Sequence, residues 1–275
     1  LAAGKGVTIA HSAEEAHKAL DDAMQKKIFG SAGTKVVIED FLQGEEASFI
    51  VLCDGKKTIP FASSQDHKAR DNNDLGPNTG GMGAYSPAPI VTEEIHKQVM
   101  EKIIKPTIDG LKSEGITYKG FLYAGLMIKN SEISVLEFNC RFGDPETQPI
   151  LMRMESDLAE ICLLAAQGNL NEREISWTKD SALGVVIASK GYPFEYEKNK
   201  EINNLENENP RQKVFHAGTK TQEGKVLSNG GRVLCVTALG STLLDSKNLA
   251  YQKVKNIDWK DGFYRDDIGD KAIKS

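Results

Sequence analysis

The sequence has few cysteines, no long hydrophobic run and no targeting segment. Its four cysteines, Cys53, Cys140, Cys162 and Cys235, are far apart and form no CxxC pair. We therefore expect reduced thiols of a cytoplasmic protein rather than a disulfide or zinc framework. No apolar stretch approaches the ~20 residues of a membrane-spanning helix, and no segment resembles a signal peptide. The sequence thus predicts no membrane partner.

Positive charge is also scarce. The chain has 34 Lys and Arg residues against 39 Asp and Glu residues, a net charge of −5 over 275 residues. No basic block of the kind that follows a phosphate backbone occurs, so we do not expect nucleic acid as a partner. A chain of this length can form two packed units, because domains typically have ~100–200 residues. The composition shifts near residue 180, which predicts one domain at 1–180 and a smaller one at 181–275.

Hydrophobic periodicity predicts the strands and helices of an α+β protein. Short strands are expected at 6–10 and 35–42, and a helix begins at Ser12, whose spacing to Glu15 is typical of a capping box. Pro60 predicts an edge strand or a bulge, and residues 66–90, rich in Gly, Pro and Asn, are expected to form a long loop. Further strands are predicted at 46–53, 120–128, 132–140, 182–189, 213–219 and 231–240, and further helices from 92, at 157–167 and from 241.

The stretch VLEFNCRFGDPE, at 135–146, has the most informative pattern. It predicts the end of a buried strand on which Glu137, Asn139 and Arg141 share one face and apolar residues fill the other. Glu137 and Asn139 offer oxygen ligands that suit Mg²⁺ bound together with nucleotide phosphates, and Arg141 offers a planar cation for an anionic oxygen. A structural Glu137–Arg141 ion pair is the alternative. The following turn adds Asp144 and Glu146 at the carboxyl end of the strand.

A glycine loop at the start of the chain could contact phosphate. Gly4, Lys5 and Gly6 precede a predicted strand, and such a loop can bring backbone N–H groups and one ammonium group against phosphate oxygens. The pattern is not a Walker motif, so a tight turn is the alternative interpretation.

The segment VIEDFLQGEE, at 37–46, could contact the rest of a nucleotide. Glu39 and Glu46 flank an apolar step formed by Phe41 and Leu42. The backbone of such a segment can pair with the edge of an adenine while a nearby carboxylate holds ribose hydroxyls. Two edge strands with solvated acids are the alternative interpretation.

These segments in this order resemble the ATP-grasp superfamily and, within it, the phosphoribosylamine–glycine ligase family. The resemblance rests on SQDHK, GPNTGGMGAYSPAP, EFNCRFGDPETQ, KVFHAGT and NGGRVLCVTALG, and it extends from residue 1 to about residue 273. It implies α+β lobes that grip ATP, followed by a smaller, mostly-β C-terminal domain. It also implies a ligase of purine biosynthesis that uses ATP to join glycine to 5-phosphoribosylamine through a glycyl phosphate.

The resemblance also implies site residues. Glu137 and Asn139 correspond to ligands of Mg²⁺ or Mn²⁺. From their positions next to these ligands, we predict that Arg141 and Asp144 are catalytic. The implied ATP contacts are Gly4, Lys5 and Gly6 over the phosphates, Glu39, Phe41 and Leu42 along the adenine, and Glu46 at the ribose. Residue type and loop position further predict substrate contacts at Asp66, Lys68, Gly80, Gly81 and Arg232. A solvated turn, glycines that only confer mobility and a surface arginine are the alternatives for these last positions.

The chain departs from the wider superfamily in one respect. Many members carry another acidic metal ligand on the preceding strand, where this chain reads LYAGLMI. Metal coordination must then depend on phosphate oxygens, water or another residue. The N-terminal domain of the family is also expected to be missing, and the chain alone is expected to be inactive. Another ATP-grasp ligase, a biotin-carboxylase-like enzyme and an inert nucleotide-binding fragment are the alternative functions.

Overall fold

The computed structural model describes residues 6–171, 173–206 and 209–274. Gly4 and Lys5 lie outside the described residues, and Gly6 lies in an exposed turn. The strands are β1 (Glu45–Asp54), β2 (Thr58–Pro60), β3 (Gln65–Asp66), β4 (Ala69–Asp71), β5 (Leu75–Asn78), β6 (Gly83–Ser86), β7 (Lys119–Lys129), β8 (Glu132–Asn139), β9 (Ser181–Ser189), β10 (Glu201–Ile202), β11 (Gln212–His216), β12 (Thr219–Gln222), β13 (Lys225–Ser228), β14 (Arg232–Gly240) and β15 (Gly262–Phe263). The α-helices are α1 (Ala13–Leu20), α2 (Glu93–Val99), α3 (Lys105–Ser113), α4 (Thr147–Arg153), α5 (Leu158–Gln167), α6 (Leu243–Asn256) and α7 (Asp270–Lys274).

The first sheet has four antiparallel strands in the order β2-β1-β7-β8. Because side chains alternate along a strand, Phe49 and Val51 of β1 pack on one face with Ile95 of α2. Ile50 and Leu52 pack on the other face, in a cluster that includes residues of α4 and α5. Burial on both faces explains the unbroken apolar run of β1. As Pro60 predicts, β2 is an edge strand.

The second large sheet is also antiparallel, with strand order β11-β14-β9-β6-β3 and β15 paired to β9. Its apolar side chains pack against α6, with Tyr251 and Trp259 in the same core. Strands β3 and β6 precede residue 180, yet β6 pairs directly with β9. The pairing therefore crosses the expected boundary at 180, which stays a prediction. None of the helices in the described ranges is long and apolar enough to cross a membrane.

A π turn joins α2 to α3 ahead of Pro106. Residues Met100–Ile104 form this turn, and the Lys105 N–H donates to the Met100 carbonyl five residues earlier. A proline inside a helix has no N–H to donate a backbone hydrogen bond, and its ring clashes with the carbonyl four residues before it. The wider π turn relieves that contact, so the helix continues past Pro106 to Ser113.

Two predicted strands are wrong. Residues 6–10 and 35–42 have no strand structure, although the helix between them begins after Ser12, whose hydroxyl accepts from Glu15 N–H as predicted. A strand needs a neighbour for its backbone groups, and none of the described strands pairs with 35–42. Val37 and Ile38 of this segment are 82% and 81% exposed, so its apolar sequence does not mark a core.

The expected loop at 66–90 is in fact largely ordered. It contains part of β3, the β4–β5 hairpin and β6. Arg265, which is 2% exposed, donates to Asp74 and to the Ala69 carbonyl, and its other nitrogens bind Asp267 at 2.8 Å. The hairpin is thus fixed to the C-terminal segment, and glycine content alone misled the prediction.

Candidate active site between the two sheets

Glu137 and Asn139 lie side by side on the edge strand of the first sheet. The Asn139 amide donates to Glu137 Oε1 at 3.2 Å. Across the sheet, Glu137 pairs with Gly125 and Asn139 with Tyr123. A Cβ on Gly125 would lie 3.2 Å from Glu137 Cγ, so the glycine lets the Glu137 side chain lie close to the strand on which the sequence analysis found no acidic residue. The two predicted metal ligands are therefore neighbours on one face.

A β-bulge at Leu136 extends this face along β8. The register shifts there, so that Ser134 pairs with Met127 and Glu137 with Gly125. Because of the extra residue, Ser134 and Glu137 share a face although they are three positions apart.

That face of the first sheet borders a cleft of about 270 Å³. The cleft is lined by Phe41, Leu42, Gln43, Met127, Lys129, Glu132 and Ser134. Two of the three predicted adenine contacts, Phe41 and Leu42, thus lie beside the same sheet face, whereas Glu39 is exposed and does not line the cleft.

Glu46 and Lys68 form an ion pair at the polar end of this face. Lys68 Nζ lies 2.7 Å from Glu46 Oε2. Burial alone would lower the pKa of Lys68, but Glu46, with smaller contributions from Asp66 and Glu137, raises it above its ordinary value. The predicted ribose contact and a predicted substrate contact therefore bind each other, close to the predicted metal ligand.

Glu146 is a buried carboxylate between the sheets. It is 3% exposed, and Ser48 donates to its Oε1 at 2.8 Å. The Tyr123 hydroxyl lies 2.8 Å from the Ser48 hydroxyl and completes the chain of hydrogen bonds. Burial, together with the nearby Glu146, raises the pKa of Asp66 well above its ordinary value. The sequence analysis missed Ser48 and Tyr123, although their alternation with Glu46 and Gly125 places them on this face.

Arg232, at the start of β14, reaches across to the turn after β8. Its Nη1 donates to the carbonyls of Gly80, Gly81 and Asp144 at 2.7, 3.3 and 2.5 Å. Its Nη2 donates to Asp144 Oδ2 at 3.0 Å. The other oxygen of Asp144 accepts from Gln148 Nε2 at 3.1 Å. Four residues that the sequence analysis predicted separately are thus in direct contact.

The resulting charged group is called the polar cluster below. Its members come from both sheets and from the turn between them. They are Glu46, Asp66, Lys68, Glu137, Asp144, Glu146 and Arg232.

The strand that carries Glu137 is more exposed than predicted. β8 is an edge strand, and Phe138, expected on a buried face, is 44% exposed. The strand ends at Asn139, so the alternation does not reach Arg141. The Arg141 guanidinium donates to the Phe142 carbonyl at 2.7 Å, and no carboxylate in the described part of the chain pairs with it. The alternative of a Glu137–Arg141 ion pair is therefore not observed.

The oxygens on this face fit a divalent cation that takes most of its ligands from elsewhere. Among the described residues, no group of three or more His, Cys, Asp or Glu side chains could hold a metal ion. Glu137 and Asn139 supply two adjacent hard oxygen donors, which matches Mg²⁺ sites that depend on one or two protein ligands plus nucleotide phosphates.

Comparison with known proteins assigns the chain to a family. The model of the phosphoribosylglycinamide synthetase ATP-grasp (A) domain matches residues 1–147, and that of the C domain of the same synthetase matches residues 182–271. Phosphoribosylamine–glycine ligase of Pasteurella multocida is 53% identical over 274 residues, covering 99% of this chain and 64% of that protein. The chain thus spans less than two thirds of the length of that relative.

Solved structures support the fold. Phosphoribosylamine–glycine ligase of Thermotoga maritima has a TM-score of 0.85 at 33% identity, covering 98% of this chain and 66% of that chain. The biotin carboxylase domain of Hydrogenobacter thermophilus 2-oxoglutarate carboxylase, solved with MgADP, ADP and bicarbonate, has a TM-score of 0.72 at 13% identity, covering 95% and 56%. The second likeness bears on the fold alone. The fold is therefore α+β of the ATP-grasp type, and the chain belongs to the phosphoribosylglycinamide synthetase family.

Proposed function

We propose that the chain carries the ATP-grasp part of a ligase that joins glycine to 5-phosphoribosylamine. The products would be glycinamide ribonucleotide, ADP and phosphate. Family membership and the names of the relatives support this proposal. The observation that carries it is the position of Glu137 and Asn139, on the same sheet face as the cleft lined by Phe41 and Leu42.

We assign the nucleotide to that cleft. Phe41 and Leu42 would cover the adenine, Glu39 would lie further along the same segment, and Glu46 would accept from the ribose hydroxyls. Gly4, Lys5 and Gly6 would close over the phosphates. Mg²⁺ or Mn²⁺ bound by Glu137 and Asn139 would neutralise charge on the phosphate oxygens.

Two bond-forming steps then follow. An oxygen of the glycine carboxylate attacks the γ-phosphorus of ATP, ADP leaves, and glycyl phosphate forms. The amine of 5-phosphoribosylamine then attacks the acyl carbon, the carbon–oxygen bond to phosphate breaks, and the amine loses a proton. Arg141 would offset the repulsion between carboxylate and phosphate in the first step. Asp66 and Lys68 would contact the two amine-bearing substrates, and Asp144 would be a catalytic residue beside Arg141.

The proposal can be tested in two stages. First, calorimetry with MgATP should detect binding to the 275-residue chain, and Glu137→Gln should weaken it while the matched exposed variant Glu101→Gln should not. Second, a chain extended to the length of the relatives should release phosphate from ATP only when glycine and 5-phosphoribosylamine are supplied. Release that depends on bicarbonate instead of glycine would favour a biotin-carboxylase-like function, and binding without any turnover would favour an inert nucleotide-binding module.

A further inference from the structure

Arg232 is the point where three separate segments meet. It belongs to β14, it holds both carbonyls of the Gly80–Gly81 pair, and it holds the carbonyl and carboxylate of Asp144. Its side chain is only 20% exposed. A single guanidinium therefore connects the second sheet with the turn that follows the strand of Glu137 and Asn139.

The backbone at Gly80 and Gly81 packs so closely around the Arg232 guanidinium and its neighbours that neither position has space for a side chain. A Cβ on Gly80 would lie 2.8 Å from Arg232 Cζ, and one on Gly81 would overlap Pro145 Cδ and an Asp66 carboxylate oxygen. Gly81 also has a φ of 113°, which other residues rarely adopt. The Tyr192 hydroxyl accepts from the Gly80 N–H at 3.0 Å. The glycine pair is thus shaped to bring two carbonyls against Arg232.

Hydrogen bonds to both carboxylate oxygens fix the orientation of the Asp144 side chain. Oδ2 accepts from Arg232, and Oδ1 accepts from Gln148 of α4. The side chain of Asp144 is nevertheless 49% exposed, so it stays available at the surface of the polar cluster. Full orientation of an exposed carboxylate is typical of groups that a site must hold in place.

We propose that Arg232 is a positioning residue: it holds Asp144 and the Gly80–Gly81 segment at a set distance from Glu137 and Asn139, instead of binding substrate itself. This inference rests on the proposed ligase function. It replaces the sequence-based prediction of Arg232 as a substrate contact. The physical reason is that Nη1 and Nη2 donate to protein oxygens on two other segments, Gly80–Gly81 and Asp144, which leaves little of the guanidinium for a ligand.

Kinetics on a chain of the relatives' length separate positioning from substrate binding. Arg232→Met should lower kcat roughly 10- to 100-fold, as loss of a supporting partner commonly does, and leave the KM values of glycine and ATP within about twofold. Because Arg232 acts through Asp144, the Arg232→Met/Asp144→Asn double variant should be no more than about twofold slower than the slower single variant. Arg232→Lys, which reaches fewer of the segments, should recover part of kcat. A raised glycine KM at normal kcat, or losses that multiply in the double variant, would overturn the proposal.

Hydrogen exchange on the 275-residue chain tests the contact without any turnover. Arg232→Met should speed amide exchange at 79–82 and at 144–147. Gly80→Ala should do the same, because its Cβ displaces the guanidinium, whereas Gly110→Ala, where nothing lies within 4 Å of the added Cβ, should not. Unchanged exchange in both site variants would refute the positioning role. If the unmodified, extended chain makes no glycinamide ribonucleotide, the ligase proposal fails, and exchange still decides whether Arg232 holds the two segments.

Discussion

His67 should make folding sensitive to mild acid. Its imidazole is 7% exposed; Nδ1 lies 3.2 Å from the Gly83 carbonyl, and Nε2 accepts from the Gly269 N–H at 3.3 Å. Neutral imidazole satisfies both contacts, with the proton on Nδ1, whereas imidazolium would carry a second N–H, on Nε2, that faces the Gly269 N–H donor. Burial, with a smaller contribution from Arg265, lowers the pKa of His67 from 6.5 to about 4.

The size and sign of the effect follow from linkage. Between pH 6.5 and 4 the unfolded chain binds a proton at His67 and the folded chain does not, so stability falls as pH falls through this window. A pKa difference of one unit corresponds to ~1.4 kcal/mol. The free energy of unfolding should therefore fall by ~2 kcal/mol between pH 7 and pH 5. The total loss should reach about 3 kcal/mol once the pH is below the pKa of His67 in the folded chain.

Urea unfolding of the wild-type chain and of His67→Gln at pH 7, 6 and 5 measures this loss. Glutamine does not titrate, so the variant should be less stable at pH 7 and its deficit should shrink by ~2 kcal/mol at pH 5. Groups common to both proteins cancel in the difference. His17→Gln, on the exposed face of α1, is the matched control and should show no such trend. A constant difference between wild type and His67→Gln across this pH range would refute the reasoning.

Three further outcomes are expected. Glu137→Gln removes the charge of one metal ligand, so the rise in Tm on adding MgATP should shrink while the nucleotide-free Tm is unchanged; a lower Tm with normal binding would make Glu137 structural. In a chain of the relatives' length, Arg141→Lys should lower kcat on the order of 10²–10³-fold, ~3–4 kcal/mol, with ATP KM unchanged, and near-normal kcat would exclude a catalytic role. Arg265→Met leaves Asp74 and Asp267 without their buried partner, so urea unfolding should show a loss of ~3–5 kcal/mol, and a loss below ~1 kcal/mol would contradict this.

Local signals in the sequence predicted local structure well. Ser12 caps α1, Pro60 lies on an edge strand, and the helix predicted at 157–167 is observed as α5, which ends at Gln167 before the left-handed Gly168. These features depend on a few neighbouring residues, each with a direct conformational preference. The predicted strand at 35–42 is wrong because strand formation depends on a pairing partner that local pattern does not reveal.

The geometry of the site depends on contacts that no local pattern contains. Arg232 and Asp144 are 88 positions apart, and Ser48 and Glu146 are 98 apart. The bulge at Leu136 decides which residues of β8 share the face of Glu137, yet a strict period of two would place Ser134 on the opposite side. The sequence therefore predicts candidate residues for the site, whereas the contacts among those residues required the structure.

The polar cluster contains charged groups that pair with one another and carboxylates that have no paired cation. Five carboxylates face two cationic side chains. Lys68 pairs with Glu46 and Arg232 pairs with Asp144, so these four groups largely compensate one another. The remaining carboxylates, on Asp66, Glu137 and Glu146, have no cation of their own among the described residues. Since the raised pKa of Asp66 reflects its burial and the repulsion from Glu146, a bound cation or ammonium group would offset that repulsion. In the proposed ligase, the three carboxylates without a cation would therefore attract the metal ion and the amine.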